Sequence, residues 1–259
     1  MPDIEEWKML VERAVRPTPV KALHYLGITY QSCSKPALMA CSDNHDYVVK
    51  WYMPSRMIVN DQIIGILGKA LGAPVPEVSL VELVPDLIHA DPALNHFRAG
   101  ICHGSRFIKD VSENRENFNF TYVQENRTRF ALLAVLYGLA FVAGDHQFLY
   151  KKQSPRLVYS HDHGHFFPKG PDWTVESLDR APKSTLDDTI IQKCDFTTTE
   201  ITEALQPLQK VDNPCIAMAV AAPPEHWGLS LEERVALAIY LEKRRDSLLA
   251  LVDGFAKGD

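Results

Sequence analysis

Hydrophobic and polar positions along the 259-residue chain change their period about halfway through. Near the start, apolar residues at Ile4, Trp7, Leu10 and Val11 recur at a helical interval and predict a short opening helix, which Pro17 and Pro19 end. From Ala22 the period shortens. Strands are predicted at Tyr25–Tyr30, Ala37–Cys41 and Tyr47–Tyr52, parted by two turn-rich segments, Ser32–Pro36 and Ser42–Asp46. Asn60–Leu71 carries an apolar face at Ile63, Ile64, Leu67 and Leu71; Gly72 closes this helix, and Pro74 and Pro76 bar its continuation. Val78–Val84 and Gly100–Ile108 read as strands, the second with Gly104 permitting close backbone approach. The polar stretch between them, Pro85–Arg98, reads as an irregular surface excursion.

After Val123 the pattern turns helical. Arg127–Val142 is apolar on nearly every face, which predicts a buried central helix. That run breaks at Gly144-Asp145-His146-Gln147, and a short strand, Phe148–Tyr150, turns through Lys151–Pro155 into a second, Leu157–Tyr159. The second strand runs into His161-Asp162-His163-Gly164-His165. A tight hairpin would set Asp145 and Asp162 side by side. Farther on, Thr197 with Glu200 and Ser230 with Glu233 form capping boxes, the latter before a long helix to about Phe255. The predicted fold is α+β and bilobal: a small β-rich N-terminal lobe over residues 1–110, a larger helical C-terminal lobe over 111–259, and a cleft between them.

Composition narrows the class. With 46% hydrophobic and 23% charged residues, the chain has an ordinary globular profile and mass enough for a sizeable core. A net charge of −6 argues against nucleic acid as partner, and Lys243-Arg244-Arg245, the compact basic run, reads as the wet face of a helix. Five scattered cysteines without a C-x-x-C pair argue against a disulfide framework or zinc ribbon and fit a reducing compartment. The opening MPDIEEWKML is acidic, unlike a secretory leader, and no apolar run reaches the roughly 18 residues that span a bilayer. A cytoplasmic protein without a membrane partner is expected. Trp51, Trp173 and Trp227 read as packing residues.

Two carboxylates on neighbouring loops suit phosphoryl transfer, which needs one to face the attacking hydroxyl and one to hold the cation on the nucleotide phosphates. Lys50, inside the third strand, faces either solvent or something anionic. The next helix offers Asp61 or Gln62 as its partner, and Ser32-Cys33-Ser34-Lys35 offers a small-residue turn over phosphates. Loop, strand lysine, helix, strands, buried helix, aspartate loop, strand and Asp-x-Gly follow one another in the order found in kinases.

These residues resemble the HipA-like kinases of compact, single-domain type, within the protein-kinase-like fold. The resemblance runs from about Ser34 to Trp173. It rests on Tyr-Val-Val-Lys50, Gly72-Ala-Pro74-Val-Pro76, Gly100 through Ile108, Gly144-Asp145-His146-Gln147 and Asp162-His163-Gly164-His165-Phe166. It implies an ATP- and Mg2+-dependent phosphotransferase acting on a hydroxyl, a protein serine or threonine in relatives. Lys50 would meet the α- and β-phosphates, Asp145 would face the acceptor, and Asp162 would bind magnesium. Ser32, Cys33, Ser34 and Lys35 would cover the phosphates, and Phe107, Ile108 and Asp110 would contact the adenine.

Two positions depart from the family pattern. Tyr150 stands where the family has a metal-binding asparagine, with Gln147 as the substitute ligand, and the helix glutamate is replaced by Asp61, Gln62 or neither. A pseudokinase that binds nucleotide or a partner is therefore the second reading. A third takes His161, His163 and His165 as sharing one strand face and, with Asp145, chelating zinc or iron in a hydrolase. Nothing in Asp187–Pro224 identifies an acceptor.

Overall fold

The computed structural model describes residues 3–51, 56–115 and 118–255; Tyr52, the expected end of the third strand, lies outside them. Helix α1 (Ile4–Arg13) is capped by Asp3, whose carboxylate accepts from the Glu5 amide, and it buries Trp7 and Val11. Strands β1 (Val20–Thr29), β2 (Ala37–Cys41) and β3 (Asp46–Lys50) follow, then α2 (Met57–Leu71), β4 (Val78–Leu83), α3 (Pro85–Ala90) and β5 (Gly100–Arg106). The five strands close into a barrel in the order β1-β2-β3-β5-β4. Closure comes from a short parallel pairing, Val20 with Val81 and Lys21 with Glu82, five residues before β1 was expected to begin. Met39, Val49, Val81 and Cys102 fill its interior.

Gly104 permits the close approach expected of it, since a Cβ there would lie 2.5 Å from Val81 Cγ2. The stretch from Pro85 to Arg98 is not an irregular surface excursion. It forms α3 and a 3-10 turn at Pro92–Leu94, and Ile88, Leu94 and Phe97 seal the barrel core while the polar residues between them face water. The sparse apolar positions are few but buried.

The chain then forms β6 (Val111–Arg115), α4 (Gln124–Ala140), β7 (Gln147–Lys151) and β8 (Val158–Ser160). The expected hairpin is present, Phe148 opposite Ser160, and β6 adds to it as a third strand that its sequence did not announce. Helices α5 (Val175–Asp179), α6 (Asp188–Cys194), α7 (Thr198–Leu205), α8 (Asn213–Ala221) and α9 (Leu231–Phe255) complete the chain. Both capping boxes form, Thr197 with Glu200 and Ser230 with Glu233. Helix α4 is buried on nearly all sides and shares one core with α2, α8 and α9, onto which α1 also packs. Burying so many aliphatic side chains here is the main source of stability, at about 25 cal/mol per Å² of apolar surface removed from water.

The basic run on α9 is not uniformly wet. Arg244 is buried, and its guanidinium donates to the carbonyls of Gly138 and Leu139 at the end of α4 and of Pro182 between α5 and α6. A cation there satisfies orphaned carbonyls and complements the negative end of the helix dipole. Among the described residues, no helix is long and apolar enough to cross a membrane.

Candidate active site

A cleft of about 500 Å³ lies between the barrel wall and the β6-β7-β8 sheet. Lys50 stands in it at the end of β3, opposite His103 of β5. Its ammonium donates to Asp61 Oδ2 at 2.8 Å and to Asp162 Oδ1 at 2.6 Å. Of the two partners left open for the lysine, Asp61 is therefore the one, and Gln62 Oε1 instead accepts from His103 Nδ1 at 2.9 Å. Helix α2 presents Asp61 and Gln62 to the barrel because its opposite face is held in the main core by Ile63, Ile64 and Leu67. Burial works against the Lys50 ammonium, but Asp61 and Asp162 outweigh it and raise its pKa above the usual lysine value. Burial likewise opposes charge on Asp162, yet the Lys50 ammonium overrides it and holds the carboxyl at about 2.

Asn60, fully buried on α2, fixes the turn that follows Asp162. Its amide nitrogen donates to the carbonyls of Gly164 (2.8 Å) and Phe166 (3.0 Å), and its oxygen accepts from Trp173 Nε1 at 3.0 Å. Asp162 itself adopts a left-handed backbone conformation, φ 58°, at the start of the 3-10 turn His163–His165. No local signal marked Asn60; its partners lie more than 100 positions away. The turn geometry also overturns the shared-face histidine cluster. His163 points inward to Ser160 Oγ (2.9 Å), which meets the Tyr137 hydroxyl (2.6 Å), whereas His165 is exposed. Burial pushes both His163 and His103 down to about 4, so both are neutral imidazoles near pH 7. Among the described residues, no three His, Cys, Asp or Glu side chains are arranged to hold a metal by themselves.

At the mouth of β7, Asp145 Oδ1 accepts from Gln147 Nε2 at 3.0 Å. The next residue, His146, is buried against Tyr137 and Phe118 and meets Asp187 Oδ1 at 3.0 Å, where Asp187 also caps α6. Asp145 Oδ2 and Gln147 Oε1 are buried without a hydrogen-bond partner. Oxygen donors of this kind suit a hard divalent cation that completes its shell with phosphate and water. Tyr150 is packed in the core, its hydroxyl accepting from the Asn119 amide at 3.1 Å.

The cleft brings Lys50, Asp162, Ser32, Phe107, Ile108 and Asp110 together. Cys33, Ser34, Lys35, Asp145 and Gln147 are not among the described residues that line it; the first three lie in the β1–β2 turn, Cys33 and Lys35 exposed and Ser34 half-buried, where the Lys35 amide closes onto Ser32 O at 3.1 Å. Glu113 of the unannounced β6, His103, His161 and His163 also line it. Glu113 and His103 were missed because tertiary packing contributes each, whereas His161 and His163 belong to the histidine run already singled out.

Residues 26–133 match the family model of the HipA-like kinases. That segment holds Lys50, Asp61 and the Phe107–Asp110 connection, and it ends before Asp145 and Asp162. The expected resemblance to HipA-like kinases is thereby borne out over residues 26–133, from within β1 to within α4. The chain is also similar in fold to the proinflammatory kinase CtkA of Helicobacter pylori, with 14% identity and a TM-score of 0.61 over 92% of this chain and 98% of that one. A hydra Fam20 structure with sugar is similar at 13% identity and a TM-score of 0.51, over 97% of this chain and 90% of that one. No curated protein matches. The α+β fold is kinase-like, and the family match with the fold supports a kinase-type phosphotransferase.

Proposed function

We propose that this chain transfers the γ-phosphoryl group of ATP to a hydroxyl acceptor, a serine or threonine of a protein, with Mg2+ as the accompanying cation. The observation that carries the reading is Lys50 held between Asp61 and Asp162 at the cleft. In this reading Asp61 orients Lys50 toward the α- and β-phosphates. The Ser32–Lys35 turn covers the phosphates, and Phe107, Ile108 and Asp110 take the adenine at the boundary between the lobes, near residue 110. Asp162 and Gln147 hold the cation. Bound with the nucleotide, Mg2+ neutralises charge on the β- and γ-phosphates. Asp145 faces the acceptor hydroxyl and takes its proton as the oxygen–phosphorus bond forms and ADP leaves.

Thermal unfolding with ATP tests this, with and without Mg2+, for wild type and Asp162→Ala. A ligand at about 100 times its Kd stabilises by about 2.7 kcal/mol. A Mg2+-dependent rise that Asp162→Ala abolishes supports the reading; no rise with any nucleotide ends it. The burial of Tyr150 at the family's asparagine position favours a second reading, nucleotide binding without efficient transfer. Turnover that falls by about 10²- to 10⁴-fold in Asp145→Asn, while ATP still binds, supports transfer. ATP binding with no turnover in wild type supports the second reading.

A further inference from the structure

Four buried side-chain atoms lack a hydrogen-bond partner among the described residues, and three of them, Asp145 Oδ2, Gln147 Oε1 and His161 Nε2, belong to the open end of the β7–β8 hairpin. Orphaned polar atoms in a folded interior call for an explanation, and an ion is one. The sheet register supplies the proximity. Gln147 opens β7, His161 follows β8, and the His161 amide donates to Gln147 O at 3.2 Å, so the two residues are directly opposite. Residues so paired project to one face with Cβ atoms about 4.5–5.5 Å apart. That face is the cleft side, because Leu149, two residues along β7, lines the cleft, as do His161 and the adjoining Asp162.

Resting on the phosphotransferase reading, the geometry points to His161 Nε2 as a nitrogen ligand of the nucleotide-bound cation, acting with Gln147 Oε1 beside Asp162. The two cross-strand donors replace the asparagine amide that Tyr150 cannot supply from the core. A single imidazole among oxygen donors has a consequence for cation choice. Mg2+ strongly prefers oxygen ligands, whereas first-row transition ions accept imidazole. The site therefore binds Mn2+ more tightly than Mg2+ when nucleotide is bound, while still accepting Mg2+ through its oxygen donors. His161 is the one histidine of its cluster with this placement, since His163 is engaged by Ser160 and His165 faces solvent.

Electron spin-echo spectroscopy of the full chain with Mn2+ and ADP reads the ligand directly. Wild type is expected to show nitrogen modulation that changes from the ¹⁴N to the ¹⁵N pattern when the protein carries ¹⁵N-histidine. This labelling requires no substitution, so it stands even if a variant folds poorly. The modulation is expected to vanish in His161→Gln, with Mn2+·ADP binding weakened by about 10-fold or more and Mg2+·ADP binding changed less. Bound Mn2+·ADP without histidine modulation, or modulation that persists in folded His161→Gln, overturns the assignment and leaves the kinase reading standing. If neither Mn2+·ADP nor Mg2+·ADP binds, the assignment and the kinase reading fall together.

Discussion

Lys50 and Asp162, 112 positions apart in the chain, meet at 2.6 Å across the cleft. One comes from the barrel and the other from the hairpin of the second sheet, so the contact ties the two sheets through a single buried ammonium. Asp61 completes the triad from α2.

Lys50→Met leaves two acidic groups without their countercharge. Removing one partner of a buried ion pair costs about 3–5 kcal/mol. Urea unfolding should show a loss of that size, partly restored by adding Asp61→Asn. A double variant no more stable than Lys50→Met would show that Asp61 does not depend on the lysine. The Asp162 carboxyl, held at about 2 against about 3.9 when unfolded, contributes stability present above pH 4 that is lost as pH falls toward 2.

His103 and His163 give a second acid response at higher pH. Each is held at about 4 by burial, against about 6.5 in the unfolded chain, so the unfolded chain binds more protons between those values. Stability should be complete above pH 6.5 and decline as pH falls toward 4. The slope approaches about 1.4 kcal/mol per pH unit for each histidine. His163→Gln should remove its own share of this slope, to which His161, also lowered by burial, adds, read from urea midpoints across the pH range. An unchanged slope would place the proton uptake elsewhere.

Asn60→Leu deprives the buried carbonyls of Gly164 and Phe166 of their donor and leaves Trp173 Nε1 without its acceptor. Each stranded group costs about 1–3 kcal/mol. Trp173→Phe should cost less, since only the Asn60 oxygen is stranded. Both changes should weaken Mg2+·ADP binding by loosening the turn that carries Asp162, measurable by calorimetry. Variants that lose stability but keep wild-type affinity would confine Asn60 to packing.

Gly138→Ala tests the seat of α4. A Cβ at this position would lie 2.4 Å from the carbonyl oxygen of Thr185, a backbone atom that cannot swing aside. Overpacking of this kind costs about 1–3 kcal/mol or more. The neighbouring Arg244→Met should be costly too, because three carbonyls lose their donor. Thermal unfolding of the two variants should show clear drops, whereas Lys243→Met, on the wet side of the same run, should fall within about 0.5 kcal/mol of wild type.

What the sequence by itself determined was local. The five residues of β2, the stop of α2 at Gly72, the two capping boxes and the hairpin joining Phe148 to Tyr159 all depend on side-chain period, backbone preference or hydrogen bonds spanning a few residues. The hairpin between Asp145 and Asp162 was legible for the same reason, because a short hairpin sets its own register. Only the tertiary structure decided which acid holds Lys50, that β1 closes a barrel on β4, and that β6 joins the hairpin. The same holds for Arg244 ending in the interior and for His161, His163 and His165 parting into three environments. These outcomes depend on groups brought together from distant parts of the chain, whose burial and pairing are set by packing. A charged or polar residue looks the same in a local pattern whether it faces water or a buried countercharge.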